Sequence, residues 1–484
     1  MIRRLWNWHE EPALIERAAT PTGRVLLWVA AAILVSPNMR WPVLPLLALS
    51  LASPGRRIAL LALGSLWVLY AKVSQSAQLS GPEGVGLGML FSLGLLGLLW
   101  LAFRAARRFA DLPAAVRRHP LIWTHVTGLA MLAGASLVPA ALGIARSTPV
   151  GAAAITLQVM VPFLLWRVCY LALSGKRGSA AESRFRDHLA YCLPVWGGSA
   201  TPYGKGLDYL RSQRMDEPIQ LSQTRLAGLK LLLLAWLWTG VRAVIGVVLY
   251  GRAAWPVGDR LHAWSLELPT LVPAIHAGPG AIAFGARWAV LIGDFMGTLI
   301  GLAIGGHFLI GVLRLFGFRV FRNTYKPLLA TTIVEFWSRY YYYFKELLVE
   351  FFFYPTFLAT AKRPQRVRMV LAVMAAAVCG NLYYHVVRDF PVYFLHGPVA
   401  LLDRLGGRLV YCVALGLGIA VSMLREQWRR GNPVALPDGW RPARRLRAMA
   451  GVWLFYALLH VWSVGMARLS LGERVRWMLG LFAW

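Results

Sequence analysis

Apolar runs long enough to cross hydrocarbon recur along this chain, parted by short polar connections. "GVGLGMLFSLGLLGLLWLAF", ending at Phe103, is one of twenty residues without a charge, enough to span a bilayer core of about 30 Å as a helix. Runs of this kind predict spans near 25–36, 41–52, 58–73, 85–103, 121–145, 150–173, 226–250, 288–315, 370–387, 409–424 and 452–464. With re-entrant or broken pieces this makes about ten to twelve membrane segments. The first two runs are short and carry prolines, which predicts an interrupted hairpin. Between 190 and 213 the pattern breaks into "AYCLPVWGGSATPYGKGLDYLRSQ". Irregular backbone at membrane depth is tolerated only inside protein or beside a wet cavity. The stretch is therefore either the wall of a site or a loop lying on the surface. The pattern contains no internal repeat, which argues against a transporter built of paired halves.

Composition agrees with the pattern. Of 484 residues, 58% are hydrophobic and only 15% charged, well below the quarter usual in soluble domains, and the mean hydropathy is +0.54. The fold class expected is all-α, a polytopic integral membrane protein forming a single membrane domain over 1–484.

The net charge of +30 raises the question of nucleic acid, and its placement answers it. Arginine and lysine gather in the connections: 104–118, 176–186, 362–368 and 425–447. Juxtamembrane clusters set cytoplasmic orientation and suit anionic lipid headgroups. The expected partners are thus membrane lipids and no nucleic acid. The long connection 251–287 lacks lysine and is expected on the opposite side. The first 22 residues, without a compact apolar core or cleavage site, read as an amphipathic cytoplasmic lead-in. Four cysteines are scattered without C-x-x-C spacing and read as small buried hydrophobes.

Two constellations carry candidate chemistry. The first is "NTYKPLLATTIVEFWSRYYYYFKELLVEFFFYP", from Asn323 to Pro355. Taken as one helix from about Leu328, it places Glu335, Arg339, Tyr343 and Glu346 on one stripe. The alternative is an interfacial helix with an aromatic belt and snorkelling charges. The second is "CGNLYYHVVRDF". There Asn381, His385 and Asp389 fall one helical turn apart, a stack that can orient a general base; the alternative is a capping histidine satisfied by its neighbours. The other nine histidines lack such company: His125, His307, His396 and His460 are solitary in apolar surroundings. No H-x-x-x-H, P-loop or G-x-S-x-G occurs, so neither a histidine-box metal oxidase, a nucleotide hydrolase nor an elbow hydrolase is expected.

The order of these motifs resembles the membrane-bound O-acyltransferase family, above all its bacterial branch that acylates surface polysaccharides and teichoic acids. The resemblance covers about 190–396. It rests on "YCLPVWGGSATPYGKGLDYL", on "RLAGLKLLLLAWLW", and on an Asp-Phe-x-Gly helix followed by Gly-Phe, Asn-x-x-x-Pro and Glu-Phe-Trp-x-Arg. It ends on "GNLYYH". Asp294, Gly297, Gly317, Asn323, Pro327, Phe336, Trp337 and Arg339 occupy motif positions. Tyr340-Tyr341 stands where that branch usually has Trp-His, and Tyr384-His385-Val386 departs from the common Trp-His-Gly.

The resemblance implies an inner-membrane enzyme with a chamber through its helices. An acyl thioester such as acyl-CoA is the implied donor, with no tightly bound cofactor and no metal. The acceptor is a hydroxyl of a polysaccharide, a lipid or a periplasmic acyl carrier protein, and a periplasmic esterase-like partner is implied as well. His385 takes the role of general base, and Tyr341 or Asn381 that of holding the hydroxyl or oxyanion. Asp294, Asn323, Glu335, Trp337, Arg339 and Asp389 bind substrate or support the site, with Glu335 and Arg339 paired inside the protein. The rival expectation is a non-catalytic transporter of acyl groups, lipid or polysaccharide on the same scaffold.

Overall fold

The computed structural model describes residues 7–79, 81–252, 264–431, 441–465 and 468–483. The first six residues of the expected lead-in lie outside them, as do 253–263 of the long connection and 432–440 of the last basic group. Among the described residues the protein is helical and has no strand; an isolated antiparallel bridge joins Arg214 and Phe318. Nine helices there are long and apolar enough to cross a membrane.

Two compact units are distinguished. One holds residues up to Leu234 together with His307–Phe321; the other holds Ala235–Gly306 and Arg322–Trp484. The motif-bearing stretch 190–396 contributes to both.

The first unit begins with α1 (Pro12–Ala19), α2 (Pro21–Leu34) and α3 (Pro37–Ala52), then α4 (Arg57–Ser76), α5 (Gly81–Arg107), α6 (Pro120–Ala141) and α7 (Pro149–Lys176). The expected hairpin is present as α2 and α3, which at 14 and 16 residues are too short to cross upright. In α7, 61% of the most apolar window is buried, against 17% in α5. So α7 is the core helix, and α5 turns leucines such as Leu90, Leu93 and Leu101 outward, where only hydrocarbon suits them. Glycines permit the close approach: a Cβ on Gly175 would stand 2.7 Å from the Ala106 carbonyl oxygen, and one on Gly128 the same distance from Leu165.

The irregular stretch 190–213 lies inside this unit and not on its surface. It runs from α8 (Phe185–Cys192) to α9 (Leu207–Ser212), with Tyr191, Trp196, Thr201 and Tyr203 buried. Its carbonyl groups need donors, and buried Arg167 of α7 donates to Ser199 at 2.9 Å and Thr201 at 3.4 Å. Left-handed backbone at Gly197, Gly204 and Gly206 makes the turns that glycine alone takes cheaply.

Helices α10 (Pro218–Tyr250) and α12 (Phe284–Leu315) contribute to both units, with α11 (Leu271–Ala277) between them. Buried arginines close the end of α12: Arg57 donates to the carbonyls of Phe316 and Gly317, and Arg225 to that of Leu315. Cations there satisfy orphan carbonyls and meet the negative end of the helix.

The second unit adds α13 (Ile333–Tyr340), α14 (Tyr342–Leu348), α15 (Tyr354–Ala359), α16 (Gln365–Met374), α17 (Asn381–Gly431), α18 (Arg441–Ser463) and α19 (Leu471–Gly480). Gly397, at φ 81°, interrupts α17, between a span Gln365–Val392 that begins in α16 and a span Val399–Arg429. Two π-helical turns, Val349–Phe353 and Ala375–Gly380, pack on each other. A Cβ at Gly380 would lie 2.5 Å from the Phe352 ring, so glycine is what lets them meet.

Candidate functional site

The stretch read as one helix from Leu328 is broken. Tyr341, at φ −140° and ψ 74°, ends α13 and precedes α14, so Glu335, Arg339, Tyr343 and Glu346 do not form a continuous stripe. The break is held by the segment before it. Asn323 accepts the Tyr342 N–H on its backbone oxygen at 2.9 Å and the Tyr343 N–H on Oδ1 at 3.4 Å. The Thr324 hydroxyl donates to Tyr340 O at 3.0 Å, and Tyr325 N–H to Arg339 O at 2.8 Å. Asn323 is thus a cap supplied from outside the helix it caps. It is buried, packed under Gly306, where a Cβ would stand 3.0 Å from the Asn323 Cβ.

Glu335 also serves the local backbone. Its Oε2 accepts from Thr331 N at 2.7 Å and from the Thr331 hydroxyl at 3.1 Å, while Thr332 caps Glu335 N at 3.1 Å. Its Oε1 pairs with Arg339 at 2.5 Å. Both side chains are about a third exposed, 31% and 32%, so the expected pair is formed and is only partly buried. Glu346 pairs with its neighbour Lys345. The charges within this greasy stretch are therefore partly accounted for by helix starts and adjacent ion pairs.

His385 sits on the first turns of α17, immediately after the π-helical turn, and is buried. Asn381, one turn earlier, is buried too. Neither Asn381 amide atom nor His385 Nδ1 has a hydrogen-bond partner among the described residues. The expected stack is only partly present, because Asp389 is turned to other groups: it pairs with Arg388 at 3.1 Å and Arg404 at 3.1 Å.

Aromatic rings connect this histidine to the broken helix. Tyr341 meets Phe344 at 5.4 Å between centroids, Phe344 meets Tyr384 edge-on at 4.8 Å, and Tyr384 meets His385 at 5.7 Å. Trp337 is buried against Phe344 at 6.2 Å. The two constellations, apart in sequence, thus lie together in one unit. Such an arrangement can move a proton at the imidazole while the Asn381 amide holds an oxygen.

No family model matches this chain, and no curated protein is similar to it. Its residues therefore stand on their geometry.

Asp294 lies in a second polar cluster of the same unit. His460 of α18, expected to be solitary, approaches the Asp294 carboxylate at 2.9 Å through Nε2, and Ser463 lies 3.3 Å from Nδ1. Phe295 stacks on Phe336 at 6.3 Å and Phe336 on Tyr456 at 3.9 Å, which ties α12, α13 and α18 together. The signal for His460 in the sequence is faint: a histidine and serine three apart in an apolar run, with the partner carboxylate 166 residues away. Cys379, expected to be buried, is exposed, while Cys169, Cys192 and Cys412 are buried.

Proposed function

We propose that the protein is a membrane-bound acyltransferase that moves an acyl group, acetyl or another short one, from an acyl thioester such as acyl-CoA to a hydroxyl acceptor. The acceptor class is a surface polysaccharide, a lipid or a periplasmic carrier, and the setting a bacterial inner membrane. The observation that supports it most is the buried His385–Asn381 pair, adjacent in helical register, whose amide atoms and ring Nδ1 have no hydrogen-bond partner among the described residues. Buried groups of that kind are costly unless they have work to do.

In this reading a ring nitrogen of His385 takes the acceptor O–H proton as the oxygen attacks the thioester carbonyl. The new C–O bond gives a tetrahedral oxyanion, held by the Asn381 amide or the Tyr341 hydroxyl. Collapse breaks the C–S bond, and the imidazolium returns its proton to the leaving thiolate. Glu335, Asn323 and Trp337 support the geometry by holding α13 and α14.

The test is transfer of labelled acyl groups by membranes carrying each variant at equal protein level. His385→Ala is expected to lower transfer by at least about two orders of magnitude, the usual contribution of a positioned base, with donor binding largely kept. Membranes of that variant transferring at the parental rate would remove the catalytic centre and favour a transporter on the same scaffold.

A further inference from the structure

The first unit carries a basic pocket of about 640 Å³ lined by Arg56, Arg184, Arg186, Arg211, Arg214 and Asp187, with the first turn of α4 closing one wall. Five guanidinium groups face one carboxylate, an excess of four positive charges. A string of topology-setting arginines needs only water and headgroups around it; here they converge on one concavity, and several are held in place. Asp187 is buried and pairs with Arg211 at 2.8 Å and Arg186 at 3.7 Å. Just outside the lining, Asp216 pairs with Arg214 at 2.9 Å and with buried Arg57 at 2.5 Å. Arg56 and Arg184 have no carboxylate partner among the described residues.

We infer that this pocket binds a phosphate-bearing anion of at least two negative charges, such as a pyrophosphate ester or a clustered lipid headgroup. Guanidinium forks match phosphate oxygens two at a time, and the positive end of a helix strengthens anion binding beside them. The volume is that of a small-molecule site. The pocket lies where α4 begins and near the end of α7, through α8, which packs against both. Both soluble and membrane-borne phosphates can reach such a rim. This inference stands apart from acyl transfer and requires none of the residues assigned to it.

The experiment uses the full chain in detergent and in lipid nanodiscs, with inorganic pyrophosphate titrated calorimetrically and phosphatidylglycerol retention followed by native mass spectrometry. Arg56→Gln with Arg184→Gln removes the two groups without a carboxylate partner among the described residues. Arg117→Gln with Arg118→Gln removes equal charge outside the pocket. A soluble ligand is indicated if the pocket variant weakens pyrophosphate binding at least about tenfold while the control keeps it. A lipid headgroup is indicated if phosphatidylglycerol, but not phosphatidylcholine, is retained by parent and control and lost from the pocket variant. Either result supports the site. No binding of either probe to the parent, or equal losses in pocket variant and control, overturns it. Arg184→Glu alone gives an independent reading if the double variant is recovered poorly.

Discussion

Single residues in this protein are read best by what they satisfy. Asn323 occupies a motif position, yet its evident task is to hold the start of α14, with its backbone oxygen and Oδ1 both accepting N–H groups. Asn323→Ala leaves the Tyr343 N–H short of an acceptor and opens a small void under Gly306. A loss of about 1–3 kcal/mol is expected, measurable as a lower thermal midpoint in detergent. Tyr341→Phe deletes one hydroxyl. A moderate fall in acyl transfer with unchanged donor affinity would give that hydroxyl a role at the oxyanion, and no fall would leave Tyr341 as a wall. His188 is a separate case. Burial, then the nearby Arg211, pushes its pKa down to about 4. An unfolded chain binds that proton near pH 6.5, so between pH 6.5 and 4 the unfolded state holds more protons and stability rises with pH. The contribution is complete above pH 6.5 and declines below it, by about 3 kcal/mol at most. His188→Gln should flatten this acid limb in thermal scans from pH 7.5 to 4.5; an unchanged slope would count against it.

At the scale of elements, the two π-helical turns decide how α14–α15 meet α16–α17. Such turns insert an extra residue into a helix and shift the register of the side chains that follow, here those of Asn381 and His385. Gly380 is the contact between them. Gly380→Ala forces a methyl against the Phe352 ring, at an expected cost of about 1–3 kcal/mol. Phe352→Leu in the same chain should recover part of it, since the ring is what the methyl meets. A double-mutant cycle on thermal stability and on transfer rate measures this coupling; purely additive effects would mean that the two turns do not depend on each other.

For the molecule as a whole, charge placement predicts orientation. Arginines cluster at the end of α5, through 114–118 and at the end of α7, which successive crossings bring to one side. That side is expected to be cytoplasmic. In a background with Cys379 replaced by Ser, a cysteine at Ala114 should resist an impermeant reagent added to intact cells, while Ser265→Cys in the long connection should react. Reaction at position 114 would invert the topology.

Sequence alone determined the class of protein, because membrane spans are written as apolar runs whose length is set by the bilayer and not by tertiary contacts. The short hairpin of α2 and α3 was legible for the same reason, as was the irregular backbone near 190–213. The helical register between Asn381 and His385 was legible too, since both lie within four residues. What sequence left undecided depended on partners far along the chain. The break at Tyr341 is stabilised by Asn323 and Thr324, and periodicity within 328–350 has no access to that. Asp389 was free on paper to orient His385, but Arg404, fifteen residues on, competes for it. His460 was solitary until folding brought Asp294 to it, and the arginines near 56, 184 and 211 were separate topology signals until α8 packed beside α4. Local propensity and hydropathy act within a few turns; ion pairs, caps and pockets are made where distant segments meet, and that meeting is settled only by the packed structure.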